Sequence, residues 1–127
     1  MKKITYYYII SSFFFMNLNS QEVYIQGGGT LDDWANLSMY AKSNKELINS
    51  SDKNRVVFMG NSITQGWSNF DPNFFIENPF INRGISGQTS PQMLIRFKPD
   101  VVNLKPKAVV ILAGINDIAG NTGPMEI

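Results

Sequence analysis

Two residue types are missing altogether from this chain of 127 residues: it has no cysteine and no histidine. Without cysteine there is no disulfide framework, no thiolate site and no lipid-modified cysteine anchor. Without histidine, the commonest general base at neutral pH is not available. Charge is sparse as well, at 17% of residues with a formal net charge of +1. No basic cluster interleaved with aromatics occurs, so nothing points to nucleic acid as a partner. The glycine run Gly27-Gly28-Gly29 is not followed by Gly-Lys-Ser/Thr, which excludes a phosphate loop and leaves a flexible linker. No cofactor or metal motif is present, and no repeat or low-complexity segment. What remains, 43% hydrophobic over 127 residues, describes one small globular domain with a core.

The first twenty residues stand apart from that domain. Lys2 and Lys3 precede a largely apolar stretch over 4–16, and small Ser20 suits the last position before cleavage. The expected organisation is a secretory signal over 1–20, a linker over 21–29 and the domain over 30–127, giving a secreted or periplasmic protein. Leu18 is bulkier than the small-residue rule prefers at the third position before the cut. An uncleaved anchor is the rival reading. The apolar run is shorter than the ~20 residues a spanning helix needs, so no stable membrane insertion is expected after cleavage.

Within the domain, Thr30 as N-cap with Asp33 three residues on predicts a helix over 30–48. Trp34, Leu37, Ala41 and Leu47 would form its buried side, and Trp34 reads as a core anchor before it reads as a ligand-stacking residue. Strands are expected over 55–59, 80–85 and 108–113, parallel and adjacent, with the third well buried because its apolar character is unbroken. The aromatic stretch 67–80 reads as irregular, with most rings in the core. Ser90-Pro91 predicts a helix start, with Met93, Leu94 and Phe97 as the buried stripe and a break or kink at Pro99. Strands separated by crossovers make a parallel sheet.

Three loops leave the carboxyl ends of these strands, the edge at which open α/β sheets bind ligands. The first is Gly60-Asn61-Ser62-Ile63, where Gly60 permits a sharp exit from the strand. Ser62 then sits on a strand-to-helix turn near a helix N-terminus, where negative charge is stabilised. The plainer reading of this turn makes Ser62 an N-cap. The second loop is Asn82-Arg83-Gly84-Ile85-Ser86-Gly87-Gln88-Thr89, and the third Ala113-Gly114-Ile115-Asn116-Asp117. Individually, Gly84 and Gly87 suit ordinary turns, and Asn116-Asp117 a self-satisfied loop pair.

Taken in order, the three loops resemble the first three sequence blocks of the SGNH (GDSL-type) hydrolases, over roughly 55–124. The resemblance implies a three-layer, flavodoxin-like α/β fold, a parallel sheet with flanking helices, incomplete at its C-terminus. It implies ester hydrolysis, with Ser62 as nucleophile and the oxyanion held by the serine N–H, the Gly87 N–H and the Asn116 side-chain amide. A side chain at 87 would obstruct approach to that N–H, and a neutral amide donates without a competing charge. Asn61 departs from the aspartate usual in the motif and is expected to be tolerated, since that residue is not the base.

The family's base is a histidine in a late Asp-x-x-His block, and this chain has none. None of Asp71, Asp100 or Asp117 is an evident substitute. The sequence is therefore expected to be the N-terminal part of a secreted serine esterase. Its partner would be a small-molecule or carbohydrate ester, such as an acetylated carbohydrate or a short-chain lipid ester. The alternative is a non-catalytic carbohydrate- or ester-binding module using the same cleft. A sheet ending at its third strand is expected to leave an unpaired edge and uncovered apolar surface, making the isolated chain marginal or aggregation-prone.

Overall fold

The computed structural model describes residues 27–51 and 54–120. The leader expected over 1–20, most of the linker expected over 21–29 and residues 121–127 lie outside the described residues. Three parallel strands form one sheet in the order β2-β1-β3: β1 is Val56–Gly60, β2 Phe80–Gly84 and β3 Ala108–Leu112. Each strand begins and ends within one residue of its expected bounds. Helices α2 (Ser62–Phe70) and α3 (Pro72–Ile76) carry the chain from β1 to β2. Helix α4 (Ser90–Asp100) and a 3-10 turn at Val102–Leu104 carry it from β2 to β3.

The period-two alternation of β1 divides the core into two unlike layers. Val57 and Met59 point to one face and meet Met93, Val101 and Leu104, with Leu47, Ile81, Phe97 and Val109 packed around them. Phe58 points to the other, and its ring lies 5.2–5.6 Å from the rings of Trp67, Phe74, Phe75 and Phe80. Most of these contacts are edge-on or tilted, the arrangement favoured by the ring quadrupoles. Helices therefore flank both faces, as the three-layer expectation required. The stretch 67–80 is not irregular: it is the end of α2 followed by α3, and only Phe70, 93% exposed, stays out of the cluster.

Several local expectations are corrected. The first helix does not begin at Thr30; a 3-10 turn at Leu37–Tyr40 leads into α1, Ala41–Asn49. The Thr30 hydroxyl does accept the Asp33 N–H at 3.0 Å, but it closes an isolated turn. The N-cap of that turn is Asn36, and the Asp33 carboxylate, three residues earlier, accepts the N–H groups of Leu37 at 2.6 Å and Ser38 at 2.9 Å. Leu37 and Ala41 are exposed, Trp34 is half-buried, and the buried residue of α1 is the polar Asn44. In α4 the N-cap is Thr89 rather than Ser90, with Gln92 Oε1 accepting the Thr89 N–H at 3.0 Å. Leu94 is 74% exposed, and its place in the buried stripe is taken by Arg96. Pro99 neither breaks nor ends the helix, which closes one residue later at Asp100. In the last turn a missing N–H removes only one intrahelical bond.

The largest correction concerns β3, which is not buried. Four of its five residues are exposed, including Ile111 at 58%, and β1 is the central strand. The unpaired edge expected from the sequence is present on β3 among the described residues.

Candidate functional site

β1 runs into α2 through Asn61, a fully buried N-cap whose Oδ1 accepts the Ile63 N–H at 3.1 Å. Ser62 is thus the first residue of the helix and not its cap, and it is exposed. Capping needs only an acceptor oxygen, which asparagine supplies as aspartate would. The other end of the amide has no such use: Asn61 Nδ2 is buried without a hydrogen-bond partner. Gly60 ends β1, and its lack of a Cβ serves packing, since a side chain there would run into that of Thr64.

The loop after β2 folds back onto this turn. Ile85 N–H donates to Gly60 O at 3.0 Å, and Ser86 N–H donates to Gln65 Oε1 at 2.7 Å. Gln65 lies one helical turn from Ser62. Asn82 stitches β2 to α2 by donating to Thr64 O at 2.6 Å and Ser68 Oγ at 2.8 Å. Gly87 has φ +75°, a backbone conformation that favours glycine.

The loop after β3 is tied to the second loop. Asn116 Nδ2 donates to Gln88 O at 2.8 Å, which uses one of its two amide hydrogens and sets the side chain beside Gly87. Asp117, 6% exposed, accepts the Ser90 N–H at 3.0 Å on each carboxylate oxygen and the Ser90 hydroxyl at 3.1 Å. A carboxylate at the first turn of α4 is favoured by the helix dipole. The structure therefore brings the Ser62 turn to the Gly87 loop, and the Gly87 loop to Asn116, in one interlocked cluster at the carboxyl edge of the sheet.

Beneath the cluster lies a polar clamp that sequence reasoning missed. Arg96 is 0% exposed, and its guanidinium donates to Gly60 O at 3.0 Å, Arg83 O at 2.9 Å, Asp100 Oδ2 at 2.9 Å and Gln88 Oε1. One side chain thus holds the ends of β1 and β2 and the residue after Gly87. Gln88 Nε2 reaches on to Ala35 O at 2.7 Å. Asn44 bridges Asp100 at 2.6 Å and Arg83 Nε at 2.9 Å, and the Arg83 guanidinium stacks 4.5 Å from the Tyr40 ring centroid. Burial lowers the pKa of both arginines, with the Asp100 carboxylate opposing that shift. The signal was present in the spacing: Arg96 falls four residues after Gln92 and four before Asp100, on the stripe that buries Met93.

The carboxylates considered as substitute bases are engaged elsewhere. Asp71 caps α3 through the Phe74 N–H at 3.2 Å, Asp100 pairs with Arg96, and Asp117 holds Ser90. The Ser62 hydroxyl has no hydrogen-bond partner among the described residues, and these hold no group of three or more potential metal ligands.

A model of the GDSL-like lipase/acylhydrolase family matches residues 58–127. Among solved structures, a candidate acylhydrolase from Bacteroides fragilis NCTC 9343 is 58% identical, with a TM-score of 0.67. That match covers 74% of this chain and 46% of the other. A GDSL-like lipase from Bacteroides thetaiotaomicron VPI-5482 is 54% identical, with a TM-score of 0.66, over 72% of this chain and 45% of its own. The chain spans less than half the length of both solved relatives. Among curated proteins no match is found. With more than half its length matched by the family model and the same fold in both relatives, the chain belongs to the GDSL-like lipase/acylhydrolase family.

Proposed function

We propose that this chain carries the nucleophile and oxyanion side of an exported serine esterase acting on small acyl esters. The observation that supports it best is the interlocking of the three loops that bear Ser62, Gly87 and Asn116. In this reading Ser62 Oγ attacks the ester carbonyl. The developing oxyanion is met by the Ser62 N–H at the start of α2, the Gly87 N–H and the free hydrogen of the Asn116 amide. Donors fixed in place before the reaction cost no reorganisation when charge develops, which is why such contacts are usually the largest catalytic contribution. The alcohol leaves, an acyl-serine remains, and water releases the acid. No cofactor is needed.

The proton acceptor is supplied by residues outside this sequence, because a lone serine is a poor nucleophile and the chain has no histidine. Export rests on the leader over 1–20, and the ester is a soluble small molecule or carbohydrate. The test compares this chain with a version extended through an Asp-x-x-His block, using a short-chain chromogenic ester. The extended protein turns over and this chain does not. Ser62→Ala abolishes turnover, and Asn116→Ala slows it by about 10²–10³-fold. Turnover by Ser62→Ala at the parent rate would remove the serine from the mechanism.

A further inference from the structure

Beside Gly87 the described residues form an open cleft of about 350 Å³. One wall comes from Gly28, Asn36 and Met39, the other from Gln65, Ser86 and Gly87. The first wall exists because the segment 30–40 folds as turns and not as a helix. Asn36 adopts a left-handed conformation with φ 55° and reaches back to Gly27 O at 3.4 Å. The second wall is part of the loop cluster itself, and Gln65 sits one turn of α2 from Ser62. A group held here is therefore next to the proposed reacting centre.

The chemistry of the lining is specific. None of the residues that line the cleft is charged. A carboxylate, phosphate or ammonium group would give up part of its water there without gaining a counter-charge. Polar capacity is nevertheless left over. Gln65 spends its Oε1 on the Ser86 N–H, while its Nε2 and the Ser86 hydroxyl have no partner among the described residues. Asn36 is held only by long contacts of 3.4 Å on each end of its amide. An aliphatic chain lying in the cleft would desolvate these groups and pair none of them. Met39, 46% exposed, adds a polarizable apolar surface on the same wall. Neutral donors and acceptors facing an apolar patch match a ring that has hydroxyls on its rim and C–H groups on its face.

From this we infer that the cleft is a subsite for an uncharged polyhydroxylated group, so that the ester's substrate class is an acylated neutral sugar rather than a lipid ester. The position of the sugar relative to the ester bond rests on the proposed roles of Ser62 and Gly87; the ligand class rests on the cleft alone.

Because the chain has no histidine, binding is readable without turnover. Methyl β-D-glucopyranoside is titrated into the 15N-labelled chain, with ethyl butyrate and inorganic phosphate as separate arms. The amide resonances of Gly28, Ser86 and Gly87 are expected to shift and saturate with the glycoside only. Gln65→Glu keeps the acceptor for the Ser86 N–H but removes the donor, and is expected to weaken binding about threefold or more. Met39→Ala, at an exposed position that leaves the fold intact, is expected to weaken it similarly. Ser62→Ala leaves the glycoside shifts in place, so failure of the ester chemistry and failure of the subsite are told apart. The inference is overturned by unsaturable or absent shifts at those amides, by the same shifts with ethyl butyrate or phosphate, or by unchanged binding in both cleft variants.

Discussion

β2 and β3 pair with β1 in the same way, parallel and over the same five residues, yet they live in different surroundings. On the β2 side, Arg83 and Gly84 are buried, Asn82 is bonded to α2, and Arg96 grips the carbonyls of Gly60 and Arg83. On the β3 side, Val110, Ile111 and Leu112 are 42–58% exposed, and Ile118 of the short helix α5 (Ile115–Ile118) is 83% exposed. The contrast separates two kinds of information. An unbroken apolar strand declares that both faces are meant to be covered. It does not declare which element covers them, and the match takes in less than half of either solved relative. The β2 half contains its own cover, and with it the framework that orders the loops bearing Ser62 and Gly87.

That contrast can be broken first by mutation at the clamp. Arg96→Met would strand Asp100 as a buried carboxylate without its cation and take the guanidinium donors away from the Gly60 and Arg83 carbonyls. The expected loss is about 3–5 kcal/mol in urea unfolding. Ile111→Thr on β3 is expected to stay within about 0.5 kcal/mol, as for ordinary exposed positions. Equal losses at the two positions would show that the halves are not energetically distinct.

A smaller effect is expected at the turn that carries Ser62. Asn61→Asp keeps the capping oxygen, removes the orphaned Nδ2 and places negative charge at the start of α2. It is expected to stabilise by about 1 kcal/mol, measured as a raised urea midpoint with an unchanged slope. A lowered midpoint would mean that burial of the carboxylate outweighs the gain.

The smallest effect is a pH dependence confined to the β2 half. Tyr40 donates its hydroxyl to Gly84 O at 2.5 Å, and burial raises its pKa above the ordinary 10.0, against the lowering influence of Arg83 and Arg96. A raised pKa in the folded state favours the protonated phenol. Its contribution is full below pH ~10, where both states are neutral, and is lost as pH rises through the folded value. Melting curves between pH 8 and 11 should therefore fall more steeply for the parent than for Tyr40→Phe. Parallel curves would remove Tyr40 from the alkaline response.

How much of this was legible depended on what kind of physics carried it. The strands were plain because apolar runs bounded by polar loops have few other uses, while the three loops, each ordinary by itself, stood out only through their joint resemblance, in order, to the sequence blocks of one family. The clamp was hidden, since arginine is almost never fully buried without a partner, and of its four partners here two are backbone carbonyls brought close only by the fold. Thr30 and Asp33 misled because the capping-box spacing was met by an isolated turn, while the Asp33 carboxylate reached past it to Leu37 and Ser38. The helix α3 was missed because the stretch 67–80 read as irregular, although Pro72 stands at the first position of that helix, where no N–H is required.

The central claim is that Ser62, Gly87 and Asn116 form a ready oxyanion site in this chain even without a base. Phenylboronic acid tests it directly, because boron accepts the Ser62 oxygen to give a tetrahedral anion while the serine proton passes to buffer. Boron NMR of the 15N-labelled chain should report tetrahedral boron, together with shifts at the Gly87 amide and the Asn116 side-chain amide, and all of these should vanish in Ser62→Ala. Tetrahedral boron that persists in Ser62→Ala, or an adduct that leaves Gly87 and Asn116 unshifted, would contradict the account.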